Sequence, residues 1–192
     1  MARRTINSDL LDRAIIFAVK AHSGYERKGK GFPFIVHPME AMEIVATMTP
    51  DQEMLAAAVL HDTVEDTDTT LEEIRAEFGN RVAMLVDTET EERNPCVSKE
   101  ESWHSRKQAA MDRLAHASHD AKVVALGDKL SNMRAIAHDY AVLGDKLWSR
   151  FHTSDPKEHA WHYHGLADSL RELHDTEAYR EFESLVNQVF PK

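Results

Sequence analysis

The sequence predicts an all-α fold in one domain. Three observations carry this expectation. Apolar residues recur at helical spacing along most of the chain, few stretches alternate with the period of two that a strand requires, and capping residues stand ahead of the apolar runs. At 192 residues the chain is long enough for one real core and short for two. No internal repeat, low-complexity tract or linker rich in Gly, Ser or Pro divides it.

Ser8 is the expected N-cap of a first helix, with apolar positions Leu10, Leu11, Ala14, Ile15, Ala18 and Val19, ending near Ser23-Gly24. A Gly/Lys-rich loop follows, with a short extended piece near Phe32–Val36. Pro38 suits the first turn of a second helix, where a missing N–H costs nothing. Asp51 should cap a third, whose run Leu55-Ala56-Ala57-Ala58-Val59-Leu60 is apolar enough to be buried and leads into His61-Asp62. Thr69-Thr70 should cap a short helix ending at Phe78-Gly79, with another beginning near Asn80. Residues 92–99 read as a loop. Two longer helices are expected at roughly 100–117 and 120–140, and a tail from Asp155-Pro156 to about Val189 adds one or two more.

A net charge of −10 argues against general nucleic-acid or anionic-membrane binding, both of which need a basic face. A polyanionic small molecule needs only a basic pocket, which Arg27-Lys28 with Lys30, and Lys129 with Arg134, could supply. No apolar run approaches the roughly 18 residues of a membrane span, and the start Met1 to Ile6 lacks the apolar stretch of a secretory signal. The single cysteine, Cys96, excludes an internal disulfide framework and fits a reducing compartment, so the expected location is cytoplasmic.

Four residues have the chemistry of metal ligands: His37, the neighbours His61 and Asp62, and Asp128. Imidazole with carboxylate suits a divalent transition ion better than calcium or a structural zinc. Asp128 interrupts the apolar run Val123-Val124-Ala125-Leu126, and a buried carboxylate wants a partner or a metal. Glu65 lies four residues after His61, on the same helical face, and with Asp66 could position a water for attack. Asn132 stands one turn beyond Asp128, where an amide could bond a base or a phosphate. In the tail, Trp161-His162-Tyr163-His164 reads as helix packing and surface rather than a second metal site.

Four segments taken together resemble the HD-domain hydrolases of the RelA/SpoT group, and in length the small alarmone hydrolases akin to the metazoan SpoT homologue. They are Arg27-Lys28 with Pro33 to Pro38, Leu60 to Thr67, Phe78-Gly79 with Val82, and Gly127 to Arg134. The resemblance implies a single HD-domain helical bundle over 1–192, with a motif core at about 10–140 and a C-terminal helical extension. It implies Mn²⁺ held by His37, His61, Asp62 and Asp128, with Glu65 and Asp66 positioning the attacking water. Arg27, Lys28 and Asn132 would contact the nucleotide, with Lys129 and Arg134 near its phosphates. The reaction implied is removal of pyrophosphate from the 3′ position of guanosine tetra- or pentaphosphate, leaving GDP or GTP. No synthetase half is expected after the hydrolase region.

Two departures bear on base choice: the extra Gly29-Lys30-Gly31 in the loop before His37, and Ala135 where a polar residue is expected. Adenosine alarmones and the 2′-phosphate of NADPH are therefore alternative substrates, and an alarmone-binding regulator without turnover is the alternative of another class. Trp and Met positions in the tail, expected to be exposed, would permit a homo-oligomer.

Overall fold

The computed structural model describes residues 6–90, 98 and 102–191. In chain order its helices are α1 (Asp9–Ala21), α2 (Val36–Ala46), α3 (Gln52–Leu60), α4 (Thr63–Asp66), α5 (Leu71–Phe78), α6 (Asn80–Glu89), α7 (Trp103–Ala115), α8 (His119–Leu143), α9 (Pro156–Ser169) and α10 (Glu177–Val189), with short 3-10 segments at Gly144–Arg150 and Arg171–Leu173. The all-α expectation holds. Among the described residues the extended piece near Phe32–Val36 shrinks to a single antiparallel bridge between Glu26 and Pro33, because Val36 already opens α2. The loop expected at 92–99, with Cys96, falls outside the described residues apart from Ser98.

Local rules explain most of the helix starts. The Asp51 carboxylate accepts from the backbone N–H groups of Glu53 and Met54, satisfying two donors that the first turn of α3 leaves free. Thr70 and Glu73 close a capping box at α5. Gly79, at φ +93°, ends α5 and begins α6 in a conformation that a side chain would strain. Ser8 does sit at the cap position of α1, but its hydroxyl donates to the Asp12 carboxylate at 2.8 Å instead of accepting from the backbone.

The core is built around α3 and α8. Every residue from Met54 to Leu60 is buried, as is the run from Ala121 to Asp128. Helix α8 packs against α2, α3 and α10, and α2 also packs against α3. Helix α8 lies tight against α2 at Gly127, where a Cβ would lie 2.7 Å from both the Ala41 carbonyl oxygen and Val45 Cγ2. That contact sets His37, near the start of α2, beside Asp128. No described helix is long and apolar enough to cross a membrane.

The tail does not display the exposed tryptophans expected from sequence. Its one tryptophan, Trp161, is half-buried and stacks on His104 with ring centroids 3.9 Å apart, and Trp103 and Trp148, ahead of the tail, are buried. The described methionines all precede the tail.

Arg81 ties the capping residue of α3 to its neighbours. It makes paired bonds to Asp51 and further ion pairs with Glu53 and Asp120. Asp51→Ala is expected to lower stability by about 1–2 kcal/mol, the cap loss plus an ion-pair contribution discounted for partial exposure. Urea denaturation followed by circular dichroism would measure it, and an unchanged midpoint would refute the cap's role.

Candidate active site

On an unbroken helix His61 and Asp62 would point about 100° apart. The chain avoids this by ending α3 at Leu60 and turning through His61 and Asp62 before α4 begins. The turn is held by side chains: His61 Nδ1 bonds the Ala58 carbonyl at 2.8 Å, and Thr63 Oγ1 donates to the Leu60 carbonyl at 2.7 Å. Asp62 Oδ2 is thereby brought to 3.0 Å from His61 Nε2. Both residues keep right-handed helical backbone angles, and the turn lets their side chains converge while Glu65 lines the same cavity as His61.

The other ligand candidates come from α2 and α8. His37 Nε2 lies 3.0 Å from Asp128 Oδ1 and 3.5 Å from Asp62 Oδ2, and His61 Nε2 lies 3.4 Å from Asp128 Oδ1. One ligand atom each from His37, His61 and Asp128 falls within a 4.8 Å span, and all three residues are buried.

The donors are chemically prepared for a cation. With His61 Nδ1–H spent on a carbonyl, the Nε2 lone pair faces the cluster, and among the described residues no donor hydrogen-bonds to that buried atom. Burial alone would raise the Asp62 and Asp128 carboxyls. His61 and His37 reverse this at Asp62, and Lys129 with His61 does so at Asp128, holding both below the usual carboxylate range. Burial likewise opposes charge on His61, and the two carboxylates outweigh it, pulling a proton or another cation into the site. Two imidazole nitrogens beside two ionised carboxylates fit a divalent transition ion.

These groups open onto two adjoining cavities. The first, about 200 Å³, is lined by His37, His61, Asp62, Glu65, Asp66 and Asp128, with Lys129 and Lys107 on a further wall. The second, about 380 Å³, is lined by Lys28, Lys30, Ala135, Asp139 and Arg150 among others. Arg27, Phe34, Asp66, Asn132 and Tyr163 line both. Arg27 is fixed on this shared wall by a hydrogen bond to Asn132 Oδ1 and by lying 5.4 Å over the Phe34 ring. Asn132 in turn donates to Asp128 Oδ1. The Gly29-Lys30-Gly31 stretch reaches the larger cavity through Lys30, which pairs with Asp139 at 2.6 Å.

Two basic residues have different fates. Lys129 stays at the smaller cavity, bonded to Asp128 Oδ2 at 2.6 Å and Glu89 at 2.9 Å. Arg134 lines neither cavity. It donates through Nε and Nη2 to Glu181 at 2.7 Å and through Nη1 to Glu40 at 3.1 Å, on the side of α8 that meets α2 and α10. A carboxylate from α10 thus holds it away from both cavities in this structure.

The family model for the HD domain matches residues 14–152. This chain belongs to the HD-domain family. Over 128 residues the HD domain is 38% identical to the guanosine-3′,5′-bis(diphosphate) 3′-pyrophosphohydrolase MESH1 of Danio rerio, covering 65% of this chain and 68% of that one. It is 42% identical over 122 residues to the Homo sapiens protein of the same name, covering 62% and 64%. The Aquifex aeolicus guanosine-3′,5′-bis(diphosphate) 3′-pyrophosphohydrolase is 36% identical over 132 residues, but the HD domain spans only 18% of it. A solved structure described as a metazoan ortholog of SpoT that hydrolyzes ppGpp superposes with a TM-score of 0.77 at 25% identity, covering 96% of this chain and 98% of that one. A Listeria monocytogenes crystal structure superposes at 0.70 with 27% identity, covering 87% and 100%.

Several residues of the HD-domain site carry no local signal. His162 and Tyr163, from the run read as packing, line the small cavity, and Tyr163 lines the large one as well. His22 is buried on the wall of the larger cavity, and neither ring nitrogen has a hydrogen-bond partner among the described residues. Ser131 bonds His37 Nδ1 at 2.8 Å. Its position three residues after Asp128, on the same helical face, was the available clue.

Proposed function

We propose that this HD domain is a divalent-metal-dependent pyrophosphohydrolase acting on the 3′ position of guanosine tetra- and pentaphosphate. One observation carries the reading: the carboxylate-imidazole cluster and a cavity of nucleoside size share a wall of Arg27, Phe34, Asp66, Asn132 and Tyr163. A nucleotide seated in the larger cavity would extend its 3′ phosphates into the smaller one. The named activities of the zebrafish and human relatives support the same substrate.

His37, His61, Asp62 and Asp128 would hold the ion, which we take to be Mn²⁺. When bound, such an ion supplies Lewis-acid polarisation of the attacked phosphate and lowers the pKa of water. The remaining work falls to the chain. Glu65 and Asp66, in the short α4 directly after Asp62, position the attacking water, and one of them accepts its proton. Lys129, which lines the same cavity, offsets charge on the pyrophosphate as its bond to the ribose 3′ oxygen breaks and that oxygen takes up a proton. Burial opposes the charge on that lysine, and its Asp128 and Glu89 partners outweigh the burial and keep it cationic. Arg27, Asn132 and Lys28 orient the nucleotide. The phenyl and phenol rings of Phe34 and Tyr163 give the base apolar walls.

Incubation of the Mn²⁺-loaded protein with guanosine tetraphosphate, with products separated by anion exchange, should release GDP and pyrophosphate. Glu65→Gln should retain metal and lower turnover by about 10²–10⁴-fold. Unchanged turnover in that variant would remove Glu65 from the mechanism. An intact substrate peak with the wild type would shift the reading to adenosine alarmones or NADPH, and binding without product from any of them to a regulator.

A further inference from the structure

We propose that Ser131, Glu40 and Arg134 form a hydrogen-bonded relay that fixes His37 in its metal-binding tautomer and so sets the affinity of the site for a divalent cation. This rests on the metal reading above. Glu40 follows His37 by three residues on α2, and Ser131 follows Asp128 by three on α8. The two pairs therefore face each other across the tight helix contact at Gly127.

The direction of the relay follows from its far end. A guanidinium only donates, and Arg134 Nη1 donates to Glu40 Oε1 at 3.1 Å. A carboxylate only accepts, so at the 2.8 Å contact with Glu40 Oε2 the hydrogen belongs to Ser131 Oγ. The serine oxygen is then left to accept, and His37 Nδ1, 2.8 Å away, must carry the proton. That places the His37 lone pair on Nε2, the atom 3.0 Å from Asp128 and 3.5 Å from Asp62. His37 and Ser131 are 3% and 1% exposed, so water does not compete for these bonds. Arg134 is itself held by two bonds to Glu181 of α10, which anchors the relay outside the site.

Glu40→Gln tests the relay with almost no change of shape. Arg134 would claim the amide oxygen, the amide NH₂ would face Ser131, and the serine hydrogen would turn to His37 Nδ1. The His37 proton would then move to Nε2, the wrong nitrogen for the metal. Calorimetric titration with Mn²⁺ alone should show affinity falling 10–100-fold in Glu40→Gln and in Ser131→Ala, with Ser131→Thr restoring it to within a few-fold of wild type. Nitrogen-15 NMR of the metal-free proteins should show the His37 proton on Nδ1 in wild type and on Nε2 in Glu40→Gln. Wild-type affinity in Glu40→Gln together with an unmoved His37 proton would overturn the relay while leaving the metal site intact. Failure of the wild type to bind Mn²⁺ would overturn both the relay and the metal reading.

Discussion

Asp128→Ala should abolish Mn²⁺ binding and cut guanosine tetraphosphate hydrolysis by at least about 10³-fold, equivalent to roughly 4 kcal/mol of transition-state stabilisation. The carboxylate is 5% exposed and contacts both histidines through one oxygen and Lys129 through the other. Among the described residues no neighbour stands ready to replace it, because Asp62 already approaches the histidines from the turn before α4 and Glu89 is committed to Lys129. Removing it also leaves the half-buried Lys129 ammonium with only Glu89 as an ion-pair partner, so some loss of stability should accompany the loss of activity. Titration calorimetry, the hydrolysis assay and a thermal melt on the same preparation separate these effects. A variant that melts near wild type yet turns over normally would refute the metal site outright.

Gly127→Ala should be nearly as damaging, although residue 127 touches neither metal nor substrate. The added methyl would sit 2.7 Å from the Ala41 carbonyl oxygen and from Val45 Cγ2, and the backbone oxygen cannot swing aside as a flexible side chain would. Overpacking of this kind costs about 1–3 kcal/mol. The functional cost is separate: α2 must retreat from α8, which draws His37 away from Asp128. A displacement near 1 Å at a catalytic constellation can cost on the order of 10²-fold in rate. Stability should be read by urea denaturation and activity by the pyrophosphate-release assay. Wild-type values in both would mean that α2 has room the packing does not show.

Much of this was legible in the sequence because it is written within one helical turn. The caps at Asp51 and Thr70, the break at Phe78-Gly79 and the buried run ending in His61-Asp62 all follow from interactions between residues up to four apart. Asp128 was legible for a related reason, since a carboxylate in the middle of an apolar run has few uses other than a partner or an ion. What escaped depends on how helices cross. Whether Arg134 faces phosphate or Glu181 is decided by where α10 docks. Whether Ser131 meets His37 depends on a glycine in α8 lying against α2. His162 and Tyr163 look from sequence like ordinary packing residues of an amphipathic helix, and only the seating of α9 turns them toward the cavity. Ser8 shows that even a local rule can be outbid by a carboxylate one turn on.

The wall common to the two cavities has an evolutionary consequence. Residues that would select the nucleobase and residues that would set up the phosphate chemistry are partly the same, since Arg27, Asn132 and Tyr163 serve both spaces and Asn132 touches Asp128 directly. A change there is pleiotropic: a new substrate preference comes with a disturbed reaction. Lys28, Lys30, Ala135, Asp139 and Arg150 border only the outer space, and two of them lie on a loop outside any helix. Substitutions at that rim would be expected to alter selectivity while leaving the chemistry in place.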